Sequence, residues 1–245
     1  MTRGTVPTTQ RDLAYLEKHG LIRRIRGGIG NVDPDAVPVQ EPEIQESKYP
    51  EIPNIMEKEA IGRKARELIH GGDTLFITHG TTSSQVARFI DNGIKATVFT
   101  DGIDVLNHLK DRPNIRTILI GGMINFSTQQ IEETPFIRCG IQDININTLF
   151  MGAGGIDAAK GITFYDYTSC TVLEKFIKEI SRIVVTADHT KFGRISLARF
   201  IPLEKVTDIV TDEKLDPAYR DMLATKGIRL HLAEIETGSS AVTEE

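Results

Sequence analysis

From about residue 54 to residue 232 the chain alternates between short apolar runs and segments with helical spacing, and no other feature constrains its fold so tightly. The runs 74–78 (TLFIT), 97–100, 115–120 (IRTILI), 149–153, 183–187 (IVVTA), 206–211 and 228–232 have the length and content of buried strands. Between them, 83–91, 103–110, 168–180 and 217–226 read as helices. A further helix opens the series. Asn54 with Glu57 three residues on predicts a capping box, Ala60, Ile61, Ala65, Leu68 and Ile69 recur on one helical face, and Gly71 stops it. Strands that alternate with helices predict an α/β fold: a mostly parallel sheet with helices on both faces.

Such sheets bind ligands beyond the carboxyl ends of their strands. The strand ends here carry His79-Gly80-Thr81-Thr82-Ser83-Ser84, Thr100-Asp101-Gly102, Gly121-Gly122, Gly152-Ala153-Gly154-Gly155-Ile156-Asp157 and Ala187-Asp188-His189-Thr190-Lys191-Phe192-Gly193. Glycine lets the backbone approach an anion, helix-start amides point at it, and hydroxyls donate to it. Taken singly, each loop has an ordinary explanation as a capped turn, a glycine turn or a solvated lysine. The weight comes from five such loops at successive strand ends. None is a Walker A loop, since no Gly-Lys-Ser/Thr follows, and none is GxGxxG.

The rest of the chain divides by charge. Residues 1–30 carry six Lys/Arg and two acids, a net +4, although the whole chain is −5. Residues 31–53 carry one lysine, six acids and five prolines, which reads as an extended linker. The sensing domain is expected over 54–232 and a flexible tail over 233–245. A small basic head on an acidic body suits a nucleic-acid contact better than the total charge suggests. No apolar run approaches membrane-spanning length and no signal-peptide stretch opens the chain, so a cytoplasmic protein is expected. Cys139 and Cys170 form no CxxC or Cys/His set and read as small buried hydrophobes in a reducing compartment. The six histidines make no HxH or HExxH pattern, so no metal site is predicted, and no cofactor; His79 alone stands near the glycine loop.

In their order, Glu57-Lys58-Glu59-Ala60-Ile61, Gly80-Thr81-Thr82, Thr100-Asp101, Gly121-Gly122, Phe150-Met151-Gly152-Ala153-Gly154-Gly155-Ile156-Asp157 and Ala187-Asp188-His189-Thr190-Lys191-Phe192-Gly193 resemble the sensor domain of the DeoR family of bacterial regulators. The resemblance implies a ribose-5-phosphate isomerase-like fold that senses a phosphorylated sugar. Gly80, Thr81, Thr82 and Ser83 would hold the phosphate, with Lys191 adding charge. Asp101, Asp157 and Asp188 would meet sugar hydroxyls, and Gly102, Gly121, Gly122, Gly152, Gly154 and Gly155 would complete the site. The head resembles the end of a winged helix-turn-helix. Thr8, Thr9, Gln10 and Arg11 would lie on a recognition helix, and Arg23, Arg24 and Arg26 on a wing that reaches phosphates of a DNA operator. The two helices that precede these in the family are missing from the sequence, and an incomplete N-terminus is the favoured explanation; upstream codons without an apolar helical pattern would sink it. In the domain, Thr78 stands where the family has Asp, Thr100-Asp101 replaces Thr-Asn, and 131–135 occupies a position that the family gives to a glycine loop.

Those residues imply a DNA-binding regulator, most simply a repressor of carbohydrate metabolism, that acts as a homodimer or homotetramer because symmetric operators require symmetric proteins. The alternatives are a sugar-phosphate-binding protein without DNA binding and, last, an isomerase-like enzyme. Aldose–ketose isomerisation needs a second acid beside the base. Gly155-Ile156-Asp157 is followed by Ala158-Ala159-Lys160, so that acid is absent and no catalytic residue is predicted.

Overall fold

A computed structural model describes residues 22–25, 28–31, 52–126, 128–132, 145–174, 177 and 180–236. Thr8, Thr9, Gln10, Arg11, Arg26, Cys139, residues 32–51 of the expected linker and the end of the expected tail lie outside them. The chain divides into two units, 1–46 and 47–245.

In the first unit, β1 (Ile22–Ile25) and β2 (Gly28–Asn31) pair antiparallel, with Ile22 opposite Asn31 and Ile25 opposite Gly28. Arg23 and Arg24 therefore stand on a strand of a tight hairpin, where the wing is expected.

The second unit is built on a seven-stranded sheet. Its strands are β3 (Thr74–Ile77), β4 (Ala96–Thr100), β5 (Ile115–Leu119), β8 (Thr148–Met151), β11 (Arg182–Thr186), β13 (Asp208–Asp212) and β14 (Arg229–Ala233). They run in the order β14-β13-β11-β8-β3-β4-β5, and every pairing is parallel. The chain winds from β3 outward to β5, then restarts on the other side of β3 with β8. The strand order thus reverses between β3 and β8, and there the connections part to open a crevice.

The strand sequences explain the layering. Side chains alternate between faces. Leu75, Ile77, Val98, Phe150, Val184 and Val210 join a core with Ala60, Ile61, Ala65 and Val86. These come from α1 (Ile55–Ala65) and α2 (Ser83–Arg88), with Val105 added from α3 (Ile103–Leu109). Phe76, Phe99, Leu149, Met151, Val185 and Ile209 face the other way. They pack against Leu173 of α4 (Thr168–Leu173) and Leu223 of α5 (Pro217–Thr225). Both sheet faces are therefore dry, as the unbroken apolar runs require.

Three departures from the sequence expectation stand out. The second face is also covered by a three-stranded antiparallel sheet of β9 (Gly155–Asp157), β10 (Gly161–Phe164) and β12 (Ala198–Ile201), which contributes Ile156, Ile162 and Ile201 to the core. Beyond β5, a small hairpin of β6 (Met123–Asn125) and β7 (Gln130–Glu132) follows Gly121-Gly122. The expected capping box also does not form. Asn54 is left-handed (φ 55°) and makes no side-chain cap, and the Glu57 carboxylate instead accepts from Lys214 Nζ at 2.7 Å. That ion pair ties α1 to the turn after β13.

Candidate functional site

A cleft of about 140 Å³ opens at the switch point, walled by the segments that leave β3, β8, β10 and β11. From β3 come Thr78, His79, Gly80, Thr81, Thr82 and Ser83; from β8, Gly152, Ala153 and Gly154; from β10 and α4, Phe164, Tyr165, Asp166, Ser169 and Leu173; and after β11, Lys191.

The β3 loop is the most polar wall. Gly80 has φ 122°, a conformation that an L side chain strains to adopt, so the turn depends on glycine there. The Ser83 hydroxyl donates to the His79 carbonyl at 2.8 Å and holds the loop closed over α2. Thr82 precedes α2 without a side-chain cap. Among the described residues, the amides of Thr81, Thr82 and Ser83 find no acceptor in the protein. Three successive amides, the exposed Thr81 hydroxyl and a lysine across the cleft make a surface that an anion can satisfy.

His79 is anchored twice on Asp101, the buried residue after β4. Its backbone N–H donates to Oδ1 at 2.8 Å, and ring Nδ1 meets Oδ2 at 2.9 Å. Burial works against the imidazolium, but the Asp101 carboxylate, with Asp104 and Asp166 behind it, outweighs burial and holds the His79 pKa above its ordinary value. Asp104 accepts from the amides of Gly80 at 3.0 Å and Val105 at 2.8 Å, and burial pushes its carboxyl up to about 6. The same device recurs after β11: His189 donates its amide to Asp212 at 2.8 Å and sets ring Nδ1 2.8 Å from the other carboxylate oxygen. Each pair clamps the ends of two neighbouring strands.

On the opposite wall, Lys191 Nζ donates to the Tyr165 hydroxyl at 2.8 Å and lies 5.4 Å from that ring's centroid. Asp166 accepts from the Ser169 amide at 2.8 Å and from its hydroxyl, which starts α4.

The structure brings together Gly80, Thr81, Thr82, Ser83, Gly152, Gly154 and Lys191 of the residues expected from sequence. The others stand elsewhere. Asp101 lies beneath His79 with both oxygens engaged, and Gly102 lies beside it. Gly121 and Gly122 are exposed at the turn into β6. Gly155 packs against the Arg194 backbone. Asp157 caps the β9–β10 turn by accepting from the amides of Ala159 at 2.9 Å and Lys160 at 2.8 Å. Asp188 caps the 3₁₀ turn His189–Lys191, accepting from the Thr190 amide at 3.0 Å and from its hydroxyl. All three aspartates expected to meet sugar hydroxyls are thus occupied with backbone or histidine. Phe164, Tyr165, Asp166 and Ser169 were not legible as site residues. The one local signal was Asp166 three residues before Ser169, a helix-start pattern without reference to a cleft.

A doubly wound parallel sheet with a polar, amide-rich cleft at its switch point defines a ligand-binding α/β domain. Residues 53–213 match the DeoR C terminal sensor domain, and the chain belongs to that family. It is 28% identical over 235 residues to the HTH-type transcriptional regulator GolR of Listeria innocua serovar 6a, covering 94% of this chain and 88% of that protein. It is 28% identical over 229 residues to the HTH-type transcriptional regulator IolR of Bacillus subtilis, covering 92% of this chain and 87% of that one. Among solved structures, ribose 5 phosphate isomerase A from Neisseria gonorrhoeae overlaps 55% of this chain and 52% of its own, with a TM-score of 0.41 and 13% identity.

Proposed function

We propose that this DeoR-family transcriptional regulator senses a phosphorylated sugar in the switch-point cleft and, as a homodimer or homotetramer, represses a carbohydrate operon by binding its operator. The carrying observation is the β3 loop: the amides of Thr81, Thr82 and Ser83, without an acceptor among the described residues, belong to residues that line a cleft which Lys191 shares. The loop holds the phosphate, and Tyr165 and Asp166 lie where the sugar extends. Thr8, Thr9, Gln10, Arg11, Arg23, Arg24 and Arg26 contact DNA. Occupancy acts only through its differential affinity for two arrangements of the protein.

The protein works in the cytoplasm and is not an enzyme. Among the described residues that line the cleft, Asp166 is the one carboxylate, it is engaged with Ser169, and the second acid that aldose–ketose isomerisation needs does not stand beside it. Among the described residues no helix is long and apolar enough to cross a membrane.

Thermal unfolding against a panel of phosphorylated sugars, each beside its unphosphorylated parent, tests the reading. A ligand of the native state raises the melting temperature as the site saturates. Stabilisation by a phosphorylated member and not by its parent is expected. A flat panel removes the sensing role, and isomerase turnover by purified protein removes the non-enzymatic one.

A further inference from the structure

The His79–Asp101 pair is a built device whose purpose the fold alone does not explain. A strand-end clamp needs only the backbone amide of residue 79 on Asp101, which is present at 2.8 Å. The ring adds something else. With Nδ1 2.9 Å from Asp101 Oδ2, the imidazole is fixed in orientation, and that nitrogen carries the proton it shares with the carboxylate. The ring's far edge, with Nε2, then points away from Asp101. His79 lines the cleft beside Gly80, and among the described residues Nε2 has no partner. Asp101 thus places a carboxylate under a histidine at the mouth of the anion loop.

We propose that His79 is a ligand-contacting residue of this chain, donating Nε2–H to a phosphoryl oxygen of the effector and selecting a phosphomonoester over a neutral or singly charged ligand. The inference rests on the phosphate reading above and names a contact within it. Among the described residues, the charged groups that act on the ring or share its cleft are three carboxylates and one lysine. Asp101 from the end of β4, Asp104 from α3 and Asp166 beyond β10 favour its protonated form, and Lys191, across the same cleft, is the second cation a phosphate would meet. The three carboxylates repel an anion, so the imidazolium, set between them and the cleft, and Lys191 are the positive charges that a phosphate dianion needs there. The structure therefore couples phosphate binding to a proton on His79: the tighter state is the protonated one, and affinity falls as pH rises through the His79 pKa, which lies above the ordinary histidine value.

The test compares wild type, His79→Gln and Asp101→Asn by calorimetric titration at pH 6 and pH 8.5. The probes are inorganic phosphate, glucose 6-phosphate, fructose 6-phosphate and ribose 5-phosphate. Thermal melts of each free variant establish that it is folded. Taking the ratio of variant to wild-type Kd at each pH cancels the ionisation of the probe itself. A charge-assisted hydrogen bond predicts a ratio of about 10 or more for His79→Gln at pH 6, shrinking at pH 8.5. Asp101→Asn keeps the imidazole but removes its counter-charge. It should bind nearly as wild type at pH 6 and lose affinity at a lower pH than wild type does. If wild type binds a probe and His79→Gln binds it equally at both pH values, the role of His79 is overturned while the phosphate reading stands. If wild type binds none of the probes, the phosphate reading itself falls and takes this one with it.

Discussion

At the scale of single residues, the cleft is set by groups beneath it as much as by groups that line it. Asp104 shows how. Its carboxylate takes the Gly80 amide, so one donor of the loop is used up internally and the loop is drawn toward α3. Burial raises its pKa from 3.8 to about 6. The folded state therefore keeps a proton that the unfolded state releases, and stability falls as pH climbs between those two values and stays lower above them. Asp104→Asn keeps an oxygen for Gly80 and removes the charge, at the loss of the acceptor for the Val105 amide, which offsets part of the gain. The variant should be more stable than wild type at pH 7.5, by on the order of 2 kcal/mol, and equal to it near pH 4. Urea denaturation at both pH values checks this; a variant less stable at pH 7.5 would mean that the charge, not the shape, holds the loop. A second buried charge behaves differently. Lys58 is 4% exposed and burial lowers its pKa, with the Asp188 carboxylate the largest influence in the other direction.

At the scale of elements, the parallel strands were legible because a strand buried on both faces must be apolar throughout, and TLFI, TLFM and RIVVT are the outcome. The antiparallel sheet was not legible. β9 is three residues long and begins with glycine, so its composition is that of a loop, and its pairing with β10 and β12 is set by contacts distant in sequence. That gap bears on the site: Gly155 and Asp157, expected as ligand contacts, stand in a strand and its turn and not among the residues that line the cleft. The glycine loop after β3, by contrast, lay open in the sequence, because its chemistry is local. Tyr165 and Asp166 did not, because they reach the cleft only through the path of β10. The strand assignment makes a prediction of its own. A Cβ at Gly155 would lie 2.3 Å from the Arg194 carbonyl oxygen, with backbone on one side and the Thr163 side chain on the other. Gly155→Ala should cost about 1–3 kcal/mol through forced separation of β9 from the 194–196 segment, and bound effector should restore little of it. Chemical denaturation with and without the stabilising sugar phosphate reads both. An unchanged midpoint would show that the antiparallel sheet yields freely there.

At the scale of the whole domain, the two ends of the parallel sheet do different work. The carboxyl ends part at the switch point and leave the amides of Thr81, Thr82 and Ser83 without an acceptor among the described residues, which is where a ligand can act. The amino ends are tied shut around Asp208, which is fully buried. Arg182 and Arg229 each donate two hydrogen bonds to it, His231 Nε2 lies 2.8 Å away, and the Thr207 hydroxyl adds another at 2.8 Å. One carboxylate thus joins β11, β13 and β14. Burial alone would raise its pKa, but the hydrogen bonds from Arg229, Arg182, His231 and Thr207 overcome this and hold it far below the usual carboxylate range. By linkage, its contribution is complete above the unfolded value of 3.8 and is lost only as pH falls toward the folded value. Asp208→Asn keeps the shape but leaves two guanidinium groups without a counter-charge. Arg229 is largely exposed and can turn to water, so the cost belongs at the lower end for a broken buried pair, about 3 kcal/mol. The loss should be present at pH 7 and shrink at strongly acidic pH, where wild type gives up the same interaction. Because the knot lies at the opposite end of the strands from the cleft, the Kd for a bound sugar phosphate should stay within about twofold of wild type wherever the variant is folded. Denaturation across pH, paired with calorimetric titration, separates the two quantities. A variant that loses affinity along with stability would show that the ends of the sheet are coupled, and that strain at the knot reaches the sensing loop through β11.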